Sequence, residues 1–485
     1  MQVAIFLLSL CILALAESIT DINPIHITTL DPNSDVTTQW SSRCYENTLT
    51  IRSYPRMRML RLTVNSERTD SFFCTDWYFL SSHTSFRTRY NALPGRSTWT
   101  LLYTTPQWND IQAHGLHLFH IDRSAIDYLS NVLSTIQLFF SDASSETIAK
   151  FLTSKLNVEF VPRDDDLKYH IDKTLIKPGD LFIQASTSPG SALISYGTGA
   201  FVSHTVVAVE IEGEIYMAES VDDHPFADPS YHPKGSRRGF VALPFDEWYE
   251  KEQKLNGVTL HIPLREELSL KFNNKKAVEW FKEHEHTPYG YHSFLYSWWD
   301  TPNDNFPDQW SGQFFYHLLI IAEKIYPDIV YKSIVKGAQH RLGNYEVKSV
   351  SELGSLLAET GLHSFSELMS IPESVEWRYS NNQGKPDRYD YVCSAFVAKI
   401  WQLGGLFGDL SISPAEFTPI DLVQLDFFKD KWEGKPPYCG HGTSPVCQII
   451  GSFQYPWPLL HFSKIQPYVN MNERCPRWRH YSLLC

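Results

Sequence analysis

Short runs of alternating apolar and polar residues fill the first third of the chain and predict β-strands. Runs such as 48–51 and 98–103 are rich in aromatic and β-branched residues and are bounded by Pro, Gly and Asn turns. Two later segments, 125–140 and 146–156, change to the spacing of amphipathic helices. We therefore expect a β-rich N-terminal domain over residues 17–160, to which the sequence assigns no role.

A second pattern of strands begins near residue 175. The segments 203–211 and 214–220 read as two strands of a hairpin that turns at Glu212-Gly213. In that register, residues whose numbers add up to about 425 face each other across the hairpin. Farther along, the segment 276–286 has its apolar residues on one helical face and its charges on the other.

The rest of the chain divides into a helical insertion and a terminal segment. Residues from about 300 to 380 open with a Pro/Asn/Asp loop and continue with helical runs, which predicts an insertion into a domain spanning 165–432. The final segment, 433–485, is rich in Pro, Trp and Cys and is expected to be a disulfide-stapled tail. Strands and helices in this order predict an α+β fold.

The N-terminus resembles an export signal. Residues 3–15 are apolar apart from Ser9 and end in Ala14-Leu15-Ala16, a small-residue cleavage pattern. We expect 1–16 to be a signal peptide and the mature protein to be secreted, or to occupy the lumen of the secretory or lysosomal pathway, without a stable membrane span. A retained N-terminal anchor is the alternative, because no Lys or Arg precedes the apolar run.

Export makes the cysteine count informative. Seven cysteines remain after signal removal; six lie toward the two ends, and Cys393 stands more than 40 residues from any other. In an oxidising compartment six can pair and one stays free. Local pairing favours Cys44 with Cys74 and two pairs among the last four, although six cysteines allow 15 connectivities. A zinc site around Cys439 is the alternative, but a second C-x-x-C is missing.

Charge narrows the class of partner. The formal net charge of −13 argues against a nucleic-acid partner, which would need an extended basic face. His284, His286 and His292 lie near acidic residues, but the first two fall on or beside the polar face of a helix, which favours a solvated surface over a metal site. The oligomeric state is not determined by the sequence.

Three residues form the candidate chemistry. Cys393 begins a helical pattern, and a helix N-terminus lowers the pKa of a thiol and favours its thiolate. His204 opens the first hairpin strand, and Glu219 lies diagonally across from it, where a carboxylate can orient an imidazole. Each residue alone also fits a structural role, since free Cys is commonly buried and inert and most His residues are not catalytic.

Short motifs in the same order resemble the circularly permuted papain-like amidases, the YaeF/YiiX group of the NlpC-type superfamily. They are the Gly-Asp turn in KPGDLF (177–182), the His strand (203–209), the Glu strand (214–219) and YVCSAFV (391–397). The residues Pro288-Tyr289 also look like a family landmark. The match covers about 170–430, and the insertion has no counterpart in compact members.

The resemblance implies a permuted papain-like core in which an antiparallel sheet packs on the nucleophile helix. It implies Cys393 as nucleophile, His204 as base and Glu219 as the orienting residue, acting on a peptide or acyl substrate without cofactor or metal. Tyr196, in a predicted loop just before the His strand, is a candidate oxyanion or substrate contact, with packing as the alternative. Bacterial cell-wall peptides are the substrate class by family analogy. Acyl transfer or hydrolysis on lipids, or a non-catalytic binding protein on the same scaffold, are the alternatives.

Overall fold

The computed structural model describes residues 25–121, 143–221, 239–291, 319–360, 390–439 and 445–456, with short gaps inside several ranges and a few single positions outside them. Its strands are β1 (Ile25–Leu30), β2 (Thr37–Ser41), β3 (Tyr45–Tyr54), β4 (Met59–Arg68), β5 (Asp76–Ser81), β6 (Phe86–Asn91), β7 (Gly95–Leu102), β8 (Leu116–Ile121), β9 (Leu181–Ser186), β10 (His204–Ile211), β11 (Glu214–Val221), β12 (Gly239–Pro244), β13 (Gly257–Ile262) and β14 (Cys447–Gly451). Its α-helices are α1 (Thr105–His114), α2 (Ser145–Leu156), α3 (Pro189–Thr198), α4 (Phe245–Glu252), α5 (Glu266–Lys271), α6 (Asn274–His284), α7 (Pro327–Val330), α8 (Lys336–Leu342), α9 (Val350–Thr360), α10 (Cys393–Leu403) and α11 (Pro419–Gln424). The fold class is α+β, as predicted.

The first compact unit comprises residues 1–136 and 307–371. It contains two antiparallel four-stranded sheets, ordered β1-β8-β5-β6 and β2-β3-β4-β7. Alternate residues of each strand point into one shared core, so that Leu62 of one sheet and Tyr78 and Leu118 of the other are all fully buried. The alternating pattern of the sequence therefore produces a two-sheet sandwich.

The second compact unit comprises residues 137–306 and 372–485 and carries the candidate chemistry. Its sheet has six strands in the order β12-β11-β10-β9-β13-β14, and every neighbouring pair is antiparallel. Helix α10 packs on β10 and β11. Antiparallel strands joined by a short hairpin bring residues distant by fifteen positions into contact, which a helix could not do.

Asp180 connects two neighbouring strands of this sheet, β9 and β13. The carboxylate is buried and accepts hydrogen bonds from the amides of Lys177 (3.0 Å) and Leu264 (2.9 Å) and from Nε2 of His261 (2.8 Å). A buried carboxylate needs such partners because an unpaired charge in a core is strongly destabilising. The Gly-Asp motif of the sequence therefore has a structural role, which is to join β9 to the end of β13.

The unit boundaries differ from the predicted domains. Helix α2, predicted in the N-terminal domain, belongs to the second unit, and the predicted insertion contributes residues 307–371 to the first unit. The tail predicted from residue 433 supplies β14, the sixth strand of the second unit's sheet. Hydrophobic periodicity identifies these elements but not their partners, because partners are set by contacts between distant residues.

The described cysteines include three that are disulfide-bonded and one that is free. Cys439 and Cys447 form a disulfide, and Cys44 is also disulfide-bonded. Among the described residues, Cys393 is the free cysteine. Cys74, the predicted signal peptide 1–16, most of the predicted helix 125–140 and the end of the tail lie outside the described residues. No helix in the described ranges is long and apolar enough to cross a bilayer.

Candidate active site

The β10–β11 hairpin sets the position of the two candidate residues on the sheet. Glu212 and Gly213 both have positive φ angles, 55° and 84°, as a tight hairpin turn of this kind requires. The strands pair from Ile211 with Glu214 to Val207 with Ala218. Each of these pairs adds up to 425, so the register predicted from the turn is the one observed.

His204 and Glu219 meet just beyond the paired part of this hairpin. His204 pairs with Gln184 of β9 on its other side. Its Nε2 lies 2.6 Å from Oε2 of Glu219, a short hydrogen bond to a carboxylate that is 9% exposed. Because Glu219 takes Nε2, Nδ1 is the nitrogen that remains for the thiol.

Cys393, on helix α10, completes the cluster with His204 and Glu219. It is the first residue of α10, preceded by Val392 in an extended conformation (φ −69°, ψ 171°), and it is 2% exposed. Its sulfur accepts a long hydrogen bond (3.9 Å) from the hydroxyl of Tyr289. The His204 side chain and the amide of Thr205 lie close enough to lower the pKa of the thiol. The positive end of the helix dipole adds a further favourable field for a thiolate.

These contacts change the acidity of both groups. Burial raises the pKa of Cys393, but the His204 charge and hydrogen bond, together with Tyr289 and Thr205, outweigh it and lower that pKa. Burial lowers the pKa of His204, but the Cys393 thiolate and the Glu219 hydrogen bond raise it well above the usual value. The two shifts favour a thiolate–imidazolium pair at neutral pH, which is the reactive form of a cysteine nucleophile.

The chain segment before the helix is fixed by two contacts. Ser220 of β11 donates its hydroxyl to the carbonyl of Tyr391 (2.8 Å), and the amide of Gly290 donates to the same carbonyl (3.2 Å). A Cβ at Gly290 would lie 2.8 Å from the carbonyl oxygen of Asp390, so glycine is required for the two segments to touch. This close approach brings Tyr289 to the sulfur.

Tyr289 and Glu252 are site residues that sequence reasoning did not assign. In the sequence, Pro288-Tyr289 has only the resemblance to a family landmark, and no pattern marks Glu252, at the end of α4. The Glu252 carboxylate accepts a hydrogen bond from the side chain of Gln184 (2.6 Å), the residue paired with His204. Burial and the nearby charge of Glu219 raise the pKa of Glu252 to about 8, so this carboxyl is mostly protonated at neutral pH.

Tyr196 lies elsewhere than predicted. The sequence placed it in a loop before the His strand, whereas it belongs to α3. Its ring packs against Phe151 of α2, with the centroids 5.5 Å apart. This contact is the packing role weighed for Tyr196, and the oxyanion role stays a prediction.

The described part of the chain contains no group of three or more His, Cys, Asp or Glu side chains arranged to hold a metal ion. His284 stacks on Trp280, with ring centroids 4.4 Å apart, and is hydrogen-bonded through Nδ1 to the carbonyl of the same residue (2.9 Å). His286 follows on an exposed position, and His292 lies outside the described residues. His284 is therefore half-buried against its own helix, whereas His286 is exposed.

Comparisons with protein-family models, with curated proteins and with solved structures each return no match.

Proposed function

We propose that this protein is a secreted cysteine hydrolase that cleaves an amide or ester through a thioester acyl-enzyme. The observation that carries the proposal is the chain of contacts from Glu219 through His204 to the Cys393 thiol at the start of α10. A nucleophile, a base and a third group that orients the base are the parts that covalent acyl transfer needs.

The first half-reaction transfers the acyl group to sulfur. The Cys393 thiolate attacks the carbonyl carbon, and the resulting oxyanion collapses as the bond to the leaving group breaks. The His204 imidazolium gives its proton to the leaving amine or alcohol. The products of this step are the free amine or alcohol and a thioester on Cys393, with His204 now neutral.

The second half-reaction restores the enzyme. Neutral His204 removes a proton from water, and the resulting hydroxide equivalent attacks the thioester carbonyl. The carboxylic acid product leaves, and the thiolate and imidazolium reform. Throughout, Glu219 holds the imidazole by its Nε2 so that Nδ1 stays on the side of the sulfur.

We assign the stabilisation of the oxyanion to two donors beside the sulfur. The amide of Cys393 is in the first turn of α10, where backbone N–H groups have no acceptor within the helix. The Tyr289 hydroxyl, already hydrogen-bonded to the sulfur, is the second. Donors fixed in advance beside a developing negative charge supply a large part of the rate enhancement in acyl transfer.

The order of the elements supports a permuted papain-like core. The base precedes the nucleophile in the chain, and an antiparallel sheet packs on the nucleophile helix. By analogy with the permuted amidases, peptide amides, including those of bacterial cell walls, are the substrates to try first. Lipid acyl esters use the same chemistry and are the second class to assay.

A cysteine-directed probe tests the proposal. The parent should be labelled by fluorescent iodoacetamide at mildly acidic pH. After incubation of the parent with an acyl substrate, the intact mass of the protein should show an acyl adduct on Cys393. Cys393→Ala should abolish both signals, and His204→Ala should greatly slow them. His284→Ala, which removes a histidine outside the cluster, is the matched control and should behave as the parent.

Two results would overturn the assignment. Equal labelling of the parent and the Cys393→Ala variant would show that another thiol reacts. Labelling of folded parent no faster than that of the denatured chain would show that Cys393 is inert and that the fold serves as a binding scaffold.

A further inference from the structure

The hairpin between β3 and β4, in the first compact unit, carries a dense basic segment. Residues 52–61 contain four arginines and no acidic residue, in a chain whose net charge is −13. Arg52, Arg56, Arg58 and Arg61 are all exposed. None of the four lies within salt-bridge distance of a carboxylate in the described part of the chain. The segment is therefore a local positive surface on an acidic protein.

Two of the four arginines have a contact that uses their charge within the hairpin region, and two do not. Arg52 and Arg61 face each other directly across the two strands, an arrangement that is unfavourable for like charges. Arg58 donates a hydrogen bond to the Thr105 hydroxyl (2.7 Å), and Arg61 lies over the Tyr54 ring (5.7 Å). Arg52 and Arg56 have no such contact among the described residues, so folding alone does not account for the concentration of charge.

An apolar edge lies beside these charges on the same sheet face. Tyr54, Met59 and Leu102 pair in one row across β3, β4 and β7, next to the row of Arg52 and Arg61. Leu102 is 64% exposed at the end of this row. Met57, in the turn just beyond, is 56% exposed. Large apolar side chains at a hairpin end, with arginines directly behind them, match the apolar and charged layers of a membrane surface.

We propose that the end of the β3–β4 hairpin binds an anionic lipid bilayer. Met57 and Leu102 enter the boundary between headgroups and acyl chains, and Arg52 and Arg56 contact lipid phosphates and carboxylates. Charge complementarity favours an anionic surface, and the exposed apolar side chains favour a bilayer over a soluble polyanion. This surface is distinct from the Cys393 cluster, and the proposal does not depend on the proposed hydrolase activity.

Co-sedimentation with vesicles tests it on the full-length protein. We expect the parent to bind phosphatidylcholine vesicles that contain phosphatidylserine, to bind pure phosphatidylcholine weakly, and to lose binding as salt is raised. Each of Arg52→Gln and Arg56→Gln should lower the partition coefficient about fivefold. Arg96→Gln, an exposed arginine that pairs with Asn65 toward the other end of the same sheet face, is the matched charge control.

A second set of variants tests the apolar contact with the bilayer. Met57→Ser with Leu102→Thr should lower vesicle binding severalfold without changing net charge. Leu270→Ser, which alters a leucine that is 82% exposed in the second unit, is the matched control. Unchanged thermal unfolding in every variant would show that the hairpin still folds.

The outcomes distinguish a lipid bilayer from a soluble polyanion as the partner. Failure of the parent to bind acidic vesicles at low salt would overturn the proposal. Binding that Arg52→Gln weakens but the Met57/Leu102 variant leaves intact, with equal binding to heparin beads, would identify a soluble-polyanion site and would also overturn it. Binding weakened by both sets of variants, and by neither control, supports a lipid surface.

Discussion

Replacement of Glu219 by Gln isolates the contribution of one charge to the reactivity of Cys393. The change keeps the size and shape of the side chain, and its amide oxygen can still accept a hydrogen bond from Nε2 of His204. Only the negative charge at 2.6 Å is lost. His204 should therefore stay in place while its imidazolium form becomes less stable.

The size of the effect follows from the strength of a charged hydrogen bond. A hydrogen bond to an ionised group contributes about 1.5–3 kcal/mol, roughly twice the neutral value. Losing the charged part therefore costs the ion pair about 1–2 kcal/mol, which is about a five- to thirtyfold smaller thiolate population. Because the Cys393 pKa is lowered chiefly by the charge of His204, it should rise by about one unit.

The assay is the rate of alkylation by iodoacetamide across the pH range. At a pH between the lowered pKa of Cys393 and the raised pKa of His204, the parent holds its thiolate and the Glu219→Gln variant holds less of it. The variant should therefore react more slowly there, by a factor of up to about five to thirty, because the thiolate fraction falls by the full factor only where the thiolate is the minor form. At high pH both proteins are fully thiolate, and their rates should converge.

The control is Glu210→Gln, which removes an exposed carboxylate from β10, the strand that carries His204, and should leave the profile unchanged. A Glu219→Gln profile identical to the parent's would show that this carboxylate does not act on the thiol through His204. A uniform loss of rate at every pH would indicate a distorted site and would equally contradict the reasoning.

Two further changes test the neighbours of the cluster. Tyr289→Phe removes a hydrogen-bond donor to the sulfur and should raise the pKa of Cys393, which slows alkylation at mildly acidic pH about two- to tenfold. The control variant Tyr249→Phe loses a hydroxyl elsewhere in the unit and should leave the rate unchanged. An unchanged rate in Tyr289→Phe would show that Tyr289 does not act on the thiol. Glu252→Gln should abolish a pH dependence of the folding stability. The pKa of Glu252 is about 8 in the folded chain and 4.5 when unperturbed. Between these values the unfolded chain releases a proton that the folded chain keeps, so the stability of the parent falls as the pH rises through that window. Thermal unfolding at about pH 5 and about pH 8 measures this fall in stability. The control variant Glu250→Gln, which alters an exposed residue of the same helix, should show the same fall as the parent. An equal fall in Glu252→Gln would refute the raised pKa of Glu252.

The sequence determined the local parts of the candidate site. The turn at Glu212-Gly213 fixed the strand register, and with it the approach of His204 and Glu219, because a two-residue hairpin allows few alternatives. The odd number of cysteines identified Cys393 as the free thiol, since its separation from the other cysteines excludes a local partner. Its place at the start of a helix followed from helical periodicity.

Tertiary structure decided what depends on contacts between distant segments. The side chains of Tyr289 and Glu252 join the site only because Gly290 lets two segments touch and because Gln184 lies beside His204 in the sheet. The helical segment after residue 306 packs with the N-terminal sandwich, and β14 of the tail completes the other sheet. Periodicity records which face of an element is apolar, whereas the partner that covers that face is selected by the packing of the whole chain.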